Sequence, residues 1–222
     1  MHSIARLKLC CLGQSLDGRS ISNGWRKHEV RREKKNWQKK YGSNMSHREQ
    51  IEWVASLRNK FPERFSKVKV LEVGSLNING TIRDFFVDSQ HTGIDVGPGF
   101  CVDVVCSGHE YDGEQFNVTC SCECFEHNPY WKQTFLNMWR LTTRNGLLFF
   151  SCATTGRPEH GTTRTTPSDS PLTITKGWDY YRNLTADDFQ TFDLDLMFSD
   201  YQFSGSSTHA DLYFYGIKHG TR

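Results

Sequence analysis

An apolar segment that ends at an acid and a glycine constrains the fold of this chain more than any other feature. Residues 68–73 form a nearly continuous apolar run, interrupted by one lysine and one glutamate, which is typical of a strand buried on both faces of a parallel sheet. Gly74 then opens a turn, and helical spacing resumes over residues 81–86. A strand, a glycine turn and a helix in this order predict an open α/β sheet, which binds ligands at the carboxyl ends of its strands.

A second strand is predicted over residues 91–96, and it places Asp95 twenty-one positions after Gly74. A carboxylate about 20 residues beyond the glycine turn accepts hydrogen bonds from ribose hydroxyls, in a dinucleotide or in S-adenosylmethionine, so the spacing leaves both cofactors open. Two residues favour S-adenosylmethionine. Leu76 replaces the second glycine of the dinucleotide motif, and the Glu72 carboxylate suits an ammonium and a sulfonium better than a pyrophosphate.

At these residues the chain resembles the class I S-adenosylmethionine-dependent methyltransferases, whose first motif is an acid at the end of strand one, a glycine loop and a helix. Residues 116–127 are similar to the family's fourth strand and the Glu-His pair after it, and residues 143–150 to the turn into its fifth strand. Over residues 68–218 the resemblance implies a Rossmann-like, doubly wound sheet of seven mostly parallel strands, with helices on both faces. It also implies S-adenosyl-L-methionine as the cofactor.

The end of the chain supports this sheet. Residues 197–203 and 210–218 are predicted to be two strands joined by a short connection, so we expect them to pair antiparallel. The family ends its otherwise parallel sheet with such a reversed strand, whereas a plain dinucleotide-binding domain does not.

The resemblance implies cofactor contacts from residues in the first turn and at the ends of strands two, three and four. They are Glu72, Gly74, Ser75, Gly80, Asp95, Val96, Ser107, Gly108, His109, Ser121 and Cys122. Ser107 departs from the family, which often has an acid there that contacts the adenine amino group. Backbone groups and a stacking side chain can hold a purine instead.

Candidate catalytic residues follow strand four and lie in the long loop of residues 154–177. Methyl transfer needs an aligned acceptor, exclusion of water and sometimes a proton acceptor, and these tasks suit Glu126, His127 and His160. The alternatives are a helix-start histidine bonded to backbone and a glutamate that opposes the helix dipole. The loop is rich in Thr, Ser, Pro and Gly, and we expect it to close over the methyl group. Arg157, Arg164 and Tyr180 are the predicted substrate-binding residues.

The eight cysteines show no paired zinc-ligand spacing, so the sequence predicts cytosolic thiols and no metal site. Cys120, Cys122 and Cys124 alternate, which would place them on one face of an extended strand. A metal or redox role is one interpretation of that face, and small apolar side chains that fill a strand–helix contact are the other.

Residues 1–44 are expected to form a basic, poorly ordered extension, and residues 45–222 a single methyltransferase-like domain. The extension is interpreted either as a nucleic-acid-binding arm, or as a solvated, partly helical segment or sequence upstream of a true start at Met45. The formal charge of +2 does not by itself imply a nucleic-acid partner. No apolar run reaches the roughly 18 residues of a membrane span, which predicts a cytoplasmic protein, and the oligomeric state is left open.

These observations predict a methyltransferase that modifies a hydroxyl, amine or carboxyl group of a small molecule or saccharide. Two alternatives from other classes stay open: a non-catalytic nucleotide-binding protein of the same fold, and an NAD-dependent oxidoreductase.

Overall fold

The computed structural model describes residues 46–78 and 80–220, so the predicted extension at residues 1–44 lies outside the described residues. Its α-helices are α1 (Ser46–Lys60), α2 (Trp131–Leu141), α3 (Pro171–Thr175) and α4 (Leu194–Met197). Its strands are β1 (Lys69–Val73), β2 (Gln90–Asp95), β3 (Val104–Val105), β4 (Phe116–Cys122), β5 (Thr142–Ala153), β6 (Phe198–Ser206) and β7 (Asp211–Lys218). Short 3₁₀ helices occupy several connections.

The seven strands form one sheet in the order β3-β2-β1-β4-β5-β7-β6. Strand β7 runs antiparallel to both β5 and β6, and the remaining neighbours are parallel. This arrangement confirms the predicted mostly parallel sheet with a reversed C-terminal strand. Val73 at the end of β1 is level with Ile94 of β2 and Ser121 of β4, so the three strands end at one edge of the sheet.

Helix α1 covers one face of the sheet. Its Val54 and Leu57 are buried with Val70, Val118 and Phe149 of the strands. Trp53 stacks on Tyr213 with ring centroids 4.8 Å apart, as apolar residues at helical spacing do when they pack on a core.

Helix α2 covers the other face, where the largest apolar cluster lies. The Phe150 ring stacks on Phe214 at 5.2 Å and meets the edge of Phe135 from α2 at 6.0 Å. Phe125, which immediately precedes Glu126 and His127, lies 4.8 Å from Phe150, so this core fixes the position of the segment after β4.

The structure corrects the predicted helix after the glycine turn. Residues 81–86 form only a 3₁₀ turn, Arg83–Phe85, before the chain turns into β2. Phe85 and Phe86 are buried against the α1 face, while the Arg83 side chain bonds back to β1 and to the segment before β3. These tertiary contacts outweigh the helical spacing of the sequence.

Helix α2 ends at Leu141, and Thr142 directly after it already pairs with Phe116 of β4. Asn145 has φ +58 and lies within β5. Thr185 and Asp188 form a capping box that opens a 3₁₀ helix, Ala186–Thr191. Among the described helices, none has both the length and the apolar character to cross a membrane.

Candidate cofactor and acceptor site

The turn after β1 is held against the end of β2. The backbone N–H groups of Gly74 and Ser75 both donate to the carbonyl of Ile94, at 2.9 and 3.1 Å. Gly74 has φ +75, and a Cβ at this position would lie 2.6 Å from the Cys124 Cβ. Both the backbone conformation and the close approach of Cys124 therefore require glycine.

Asp95 lies directly beside this turn. One carboxylate oxygen accepts from the Leu76 N–H at 3.0 Å, and the other accepts from the Val96 N–H at 2.8 Å. Burial raises the pKa of Asp95, while the two backbone N–H groups oppose that shift. Each oxygen keeps acceptor capacity, so the carboxylate is fixed in place and still able to accept bonds from a ligand.

Glu72 is the buried acid of the site, and Arg83 is its partner. Glu72 is 6% exposed, and its carboxylate accepts from Arg83 Nε at 3.3 Å, while Arg83 also donates to Asp103 at 3.0 Å. Burial raises the pKa of Glu72 to about 7, although the Arg83 guanidinium lowers it. The sequence interpretation missed Arg83 and Asp103; the only available signal was a basic residue eleven positions after the acid.

This raised pKa gives a pH-dependent prediction. In the folded state Glu72 holds its proton up to about pH 7, whereas in the unfolded chain it releases the proton near its ordinary value of 4.5. The contribution of Glu72 to stability is therefore fully present below about pH 4.5 and is lost as the pH rises through 7. We expect the free energy of unfolding of the wild type, relative to Glu72→Gln, to fall by roughly 2–3 kcal/mol between pH 5 and 8.

Urea unfolding at several pH values measures this difference. Glu63→Gln, a change at an exposed glutamate, is the matched control and should give a nearly constant difference over the same range. If the free energies of unfolding of the wild type and of Glu72→Gln changed in parallel with pH, Glu72 would titrate normally.

Residues after β3 form the third side of the site. Ser107 is buried, and Gly108 lies so close to β1 and α2 that a Cβ there would sit 2.6 Å from Val73 and 2.8 Å from Thr134. The His109 ring stacks on Tyr130 at 4.3 Å, and Trp178 lies near both rings. The structure therefore brings Ser107, Gly108 and His109 to the end of β1 and the start of α2.

Three other residues that were predicted to bind the cofactor make contacts of a different kind. Gly80 is exposed in the loop, and its N–H donates to the Asn77 side chain at 2.8 Å. Ser121 is buried and donates to the carbonyl of Val73 at 2.9 Å, so its hydroxyl binds β4 to β1. Cys122 packs on the face of the sheet that helix α1 covers.

The three alternating cysteines do not share one face. Cys120 and Cys122 belong to the α1 face, but Cys124 lies beyond the end of β4 against Gly74. The prediction of a common face fails at Cys124 because β4 ends at Cys122. Burial raises the pKa of all three thiols, as for small side chains within the fold.

Glu126, His127 and His160 come together although they belong to different segments. Glu126 and His127 lie in the 3₁₀ helix after β4, His160 lies in the loop after β5, and their ligand atoms are all within 4.8 Å of one another. Burial raises the pKa of Glu126 well above its usual range. Burial, together with nearby His160 and Arg157, lowers the pKa of His127 to about 3.

Of the predicted substrate-binding residues, Arg157 lies near His127, and both arginines are already paired. Arg157 donates to Asp211 at 2.7 Å and to the carbonyl of His209 at 2.8 Å. Arg164 is exposed and lies 2.8 Å from Glu159 and 3.3 Å from Asp179. Tyr180 is partly buried, which raises its pKa. Polar contacts of this kind order the loop, and a substrate contact by these three residues stays a prediction.

Several buried polar atoms at this edge of the sheet have no hydrogen-bond partner within residues 46–78 and 80–220. They are Ser75 Oγ, His109 Nδ1, Glu126 Oε2, His127 Nδ1 and the Tyr181 hydroxyl. A buried polar group without a partner costs about 1–3 kcal/mol. Such a concentration at one edge is what a polar ligand site requires.

No protein-family model matches the sequence, and no curated protein matches it either. Solved structures do match the fold. The 1,6-didemethyltoxoflavin-N1-methyltransferase of Burkholderia thailandensis, with S-adenosylhomocysteine bound, superimposes with a TM-score of 0.55 at 15% identity, over 93% of this chain and 98% of that chain. The N-methyltransferase NodS of Bradyrhizobium japonicum WM9 has a TM-score of 0.50 at 14% identity, over 80% and 98%.

A third match is phosphoethanolamine N-methyltransferase 2 of Haemonchus contortus, in complex with S-adenosyl-L-methionine. Its TM-score is 0.53 at 12% identity, over 78% of this chain and 53% of that chain. At these identities the likeness concerns the fold, which agrees with the strand order and with the reversed β7. The chain has the fold of the class I S-adenosylmethionine-dependent methyltransferases.

Proposed function

We propose that this protein is an S-adenosylmethionine-dependent methyltransferase that acts on a hydroxyl, amine or carboxyl group of a small molecule or saccharide. The matched structures support a methyltransferase of this general kind, since two of those described above are named with the cofactor or its demethylated product bound. The class of acceptor that is methylated is part of the proposal and does not come from the matched structures.

One observation carries the proposal: Glu72, the Gly74 turn and Asp95 meet at the carboxyl edge of a sheet with this strand order. Asp95 would hold the ribose hydroxyls, and backbone groups of the turn would approach the cofactor closely because Gly74 has no side chain. Ser75 is only 4% exposed, and its hydroxyl, which has no partner among the described residues, also fits a polar ligand at this place. When bound, the cofactor supplies a methyl group already activated by its sulfonium.

The acceptor would lie beyond β4 and β5. Glu126, His127 and His160 form a polar cluster there, and the Tyr181 ring lies 5.5 Å from His127 and 5.0 Å from His160. Since a histidine with a pKa of about 3 is a weak proton acceptor, His127 is better suited to hold a polar group than to remove a proton. We assign this cluster the task of aligning the acceptor and excluding water.

Transfer of a labelled methyl group tests the proposal. The full-length protein is incubated with methyl-labelled S-adenosylmethionine and separate pools of hydroxyl, amine and carboxyl compounds, and the release of S-adenosylhomocysteine is followed. We expect turnover with at least one small-molecule or saccharide pool. Labelling of protein or nucleic acid alone would contradict the proposed acceptor class. Reduction of NAD with a pool and no methyl transfer would favour an oxidoreductase.

A further inference from the structure

The geometry points to a site for a divalent transition-metal ion of the zinc class, with Glu126, His127 and His160 as its ligands. Each residue offers one ligand atom, and these atoms all lie within 4.8 Å of one another. The three residues come from the 3₁₀ helix after β4 and from the loop after β5, so the fold gathers them from two separate segments.

The two buried members of the cluster each have an unpartnered polar atom. Glu126 is fully buried; one carboxylate oxygen accepts from the Ala153 N–H at 3.2 Å, and the other has no partner among the described residues. His127 is 3% exposed, and its Nδ1 likewise has no partner there. Leaving such atoms unpaired is costly, and one cation among these side chains would remove that cost for both residues.

The backbone around the cluster fixes its shape. The Arg182 N–H donates to the carbonyl of Glu126 at 2.9 Å, which holds the 3₁₀ helix from outside. Gly161, the residue after His160, has φ +65, and a Cβ there would lie 2.7 Å from His127 Cε1. Only glycine lets the loop come this close, and the result is that the His127 and His160 rings lie 4.9 Å apart at 85°.

The donor set selects the class of metal. One carboxylate and two imidazoles suit zinc, cobalt or a similar ion, whereas Mg²⁺ and Ca²⁺ prefer oxygen ligands alone. With zinc–ligand distances of about 2.1 Å, tetrahedral ligands lie about 3.4 Å apart, so the side chains would close slightly around the ion. Three protein ligands leave a position open, as in catalytic rather than structural zinc sites.

The role of this ion rests on the proposed function. The open position lies on the acceptor side of the site, where an oxygen or nitrogen of the acceptor would bind the ion, which would hold it in place and lower its pKa. Metal binding itself requires neither the cofactor nor the acceptor, and it is therefore testable separately.

Cobalt and zinc are the probes. The full-length protein is freed of metal with a chelator, and Co²⁺ is added while its visible absorption is followed; Zn²⁺ is then used to displace it, and calorimetry gives the stoichiometry. We expect one ion per chain, an absorption spectrum typical of nitrogen and oxygen ligands, and no comparable binding of Mg²⁺. Absence of one-to-one Co²⁺ or Zn²⁺ binding by the folded protein would overturn the proposal.

His160→Asn is the first variant, since His160 is half-buried and its loss should not unfold the chain. We expect its affinity for Zn²⁺ to fall at least tenfold. His219→Asn, a change at an exposed histidine outside the cluster, should leave the affinity unchanged. Equal affinities in the two variants would exclude His160 as a ligand. Glu126→Gln keeps the shape of the buried side chain and should also bind weakly, with circular dichroism to verify folding.

Calorimetry with S-adenosylhomocysteine separates this proposal from the previous one. Metal binding without binding of S-adenosylhomocysteine would contradict the methyltransferase and keep the metal site. Binding of S-adenosylhomocysteine without metal binding would contradict the metal site and keep the methyltransferase.

Discussion

Replacing Gly74 with alanine should destabilise the protein by about 2–5 kcal/mol and remove measurable cofactor binding. Two costs add in this variant. Alanine is strained at φ +75, and its Cβ would meet the Cβ and Sγ of Cys124 at 2.6 and 2.7 Å. The turn would have to move away from β2, where Gly74 and Ser75 now bond to the carbonyl of Ile94. Urea unfolding and calorimetry with S-adenosylhomocysteine measure the two effects.

Gly177→Ala is the matched control, because Gly177 also has a positive φ, of +84, but apart from its chain neighbours no atom of the described residues lies within 4 Å of the position of its Cβ. The stability of Gly177→Ala should therefore fall only by the cost of placing alanine at a positive φ, about 1 kcal/mol. Adding Cys124→Gly to Gly74→Ala removes the contact and should restore part of the lost stability. Equal losses in Gly74→Ala and Gly177→Ala would show that Cys124 does not press on the turn.

Asp95→Ala should weaken cofactor binding by about 1.5–3 kcal/mol, or roughly ten- to a hundredfold in the dissociation constant. The variant removes the carboxylate assigned to the ribose, and it also leaves the N–H groups of Leu76 and Val96 without their present acceptor. Titration calorimetry with S-adenosylhomocysteine gives the affinity. Asp95→Asn keeps one acceptor oxygen and should show an intermediate loss.

Asp112→Ala, at a side chain 85% exposed, controls for the removal of a negative charge and should bind as the wild type does. If Asp95→Ala also bound as tightly as the wild type, the ribose would lie elsewhere and the assignment of the site would fail.

Much of the sheet could be predicted from the sequence because parallel strands leave a simple signal. Apolar runs that end at an acid or a glycine recur along the sequence, as expected for the strands of a parallel sheet. Glu72, Gly74 and Asp95 then meet because adjacent parallel strands end at one edge of the sheet. The reversed β7 was predictable from the short connection that precedes it.

The remaining features depend on contacts between distant segments. Arg83 breaks the expected helix because its guanidinium reaches Glu72 and Asp103, and spacing within residues 81–86 carries no sign of this. Cys124 was grouped with the strand cysteines since alternation cannot show where β4 ends. Tyr181 belongs to no sequence motif, although its hydroxyl is buried beside His127 and His160 and has no partner within the described part of the chain.

Binding of the cofactor by the full-length protein tests the central claim most directly. Titration calorimetry is performed with S-adenosylmethionine, S-adenosylhomocysteine and NAD in separate experiments at pH 7.5, roughly the pH at which Glu72 is mainly ionised. The account predicts one-to-one binding of both methyl-cycle ligands and no binding of NAD. Binding of NAD alone, or of none of the three by a protein shown to be folded, would contradict it.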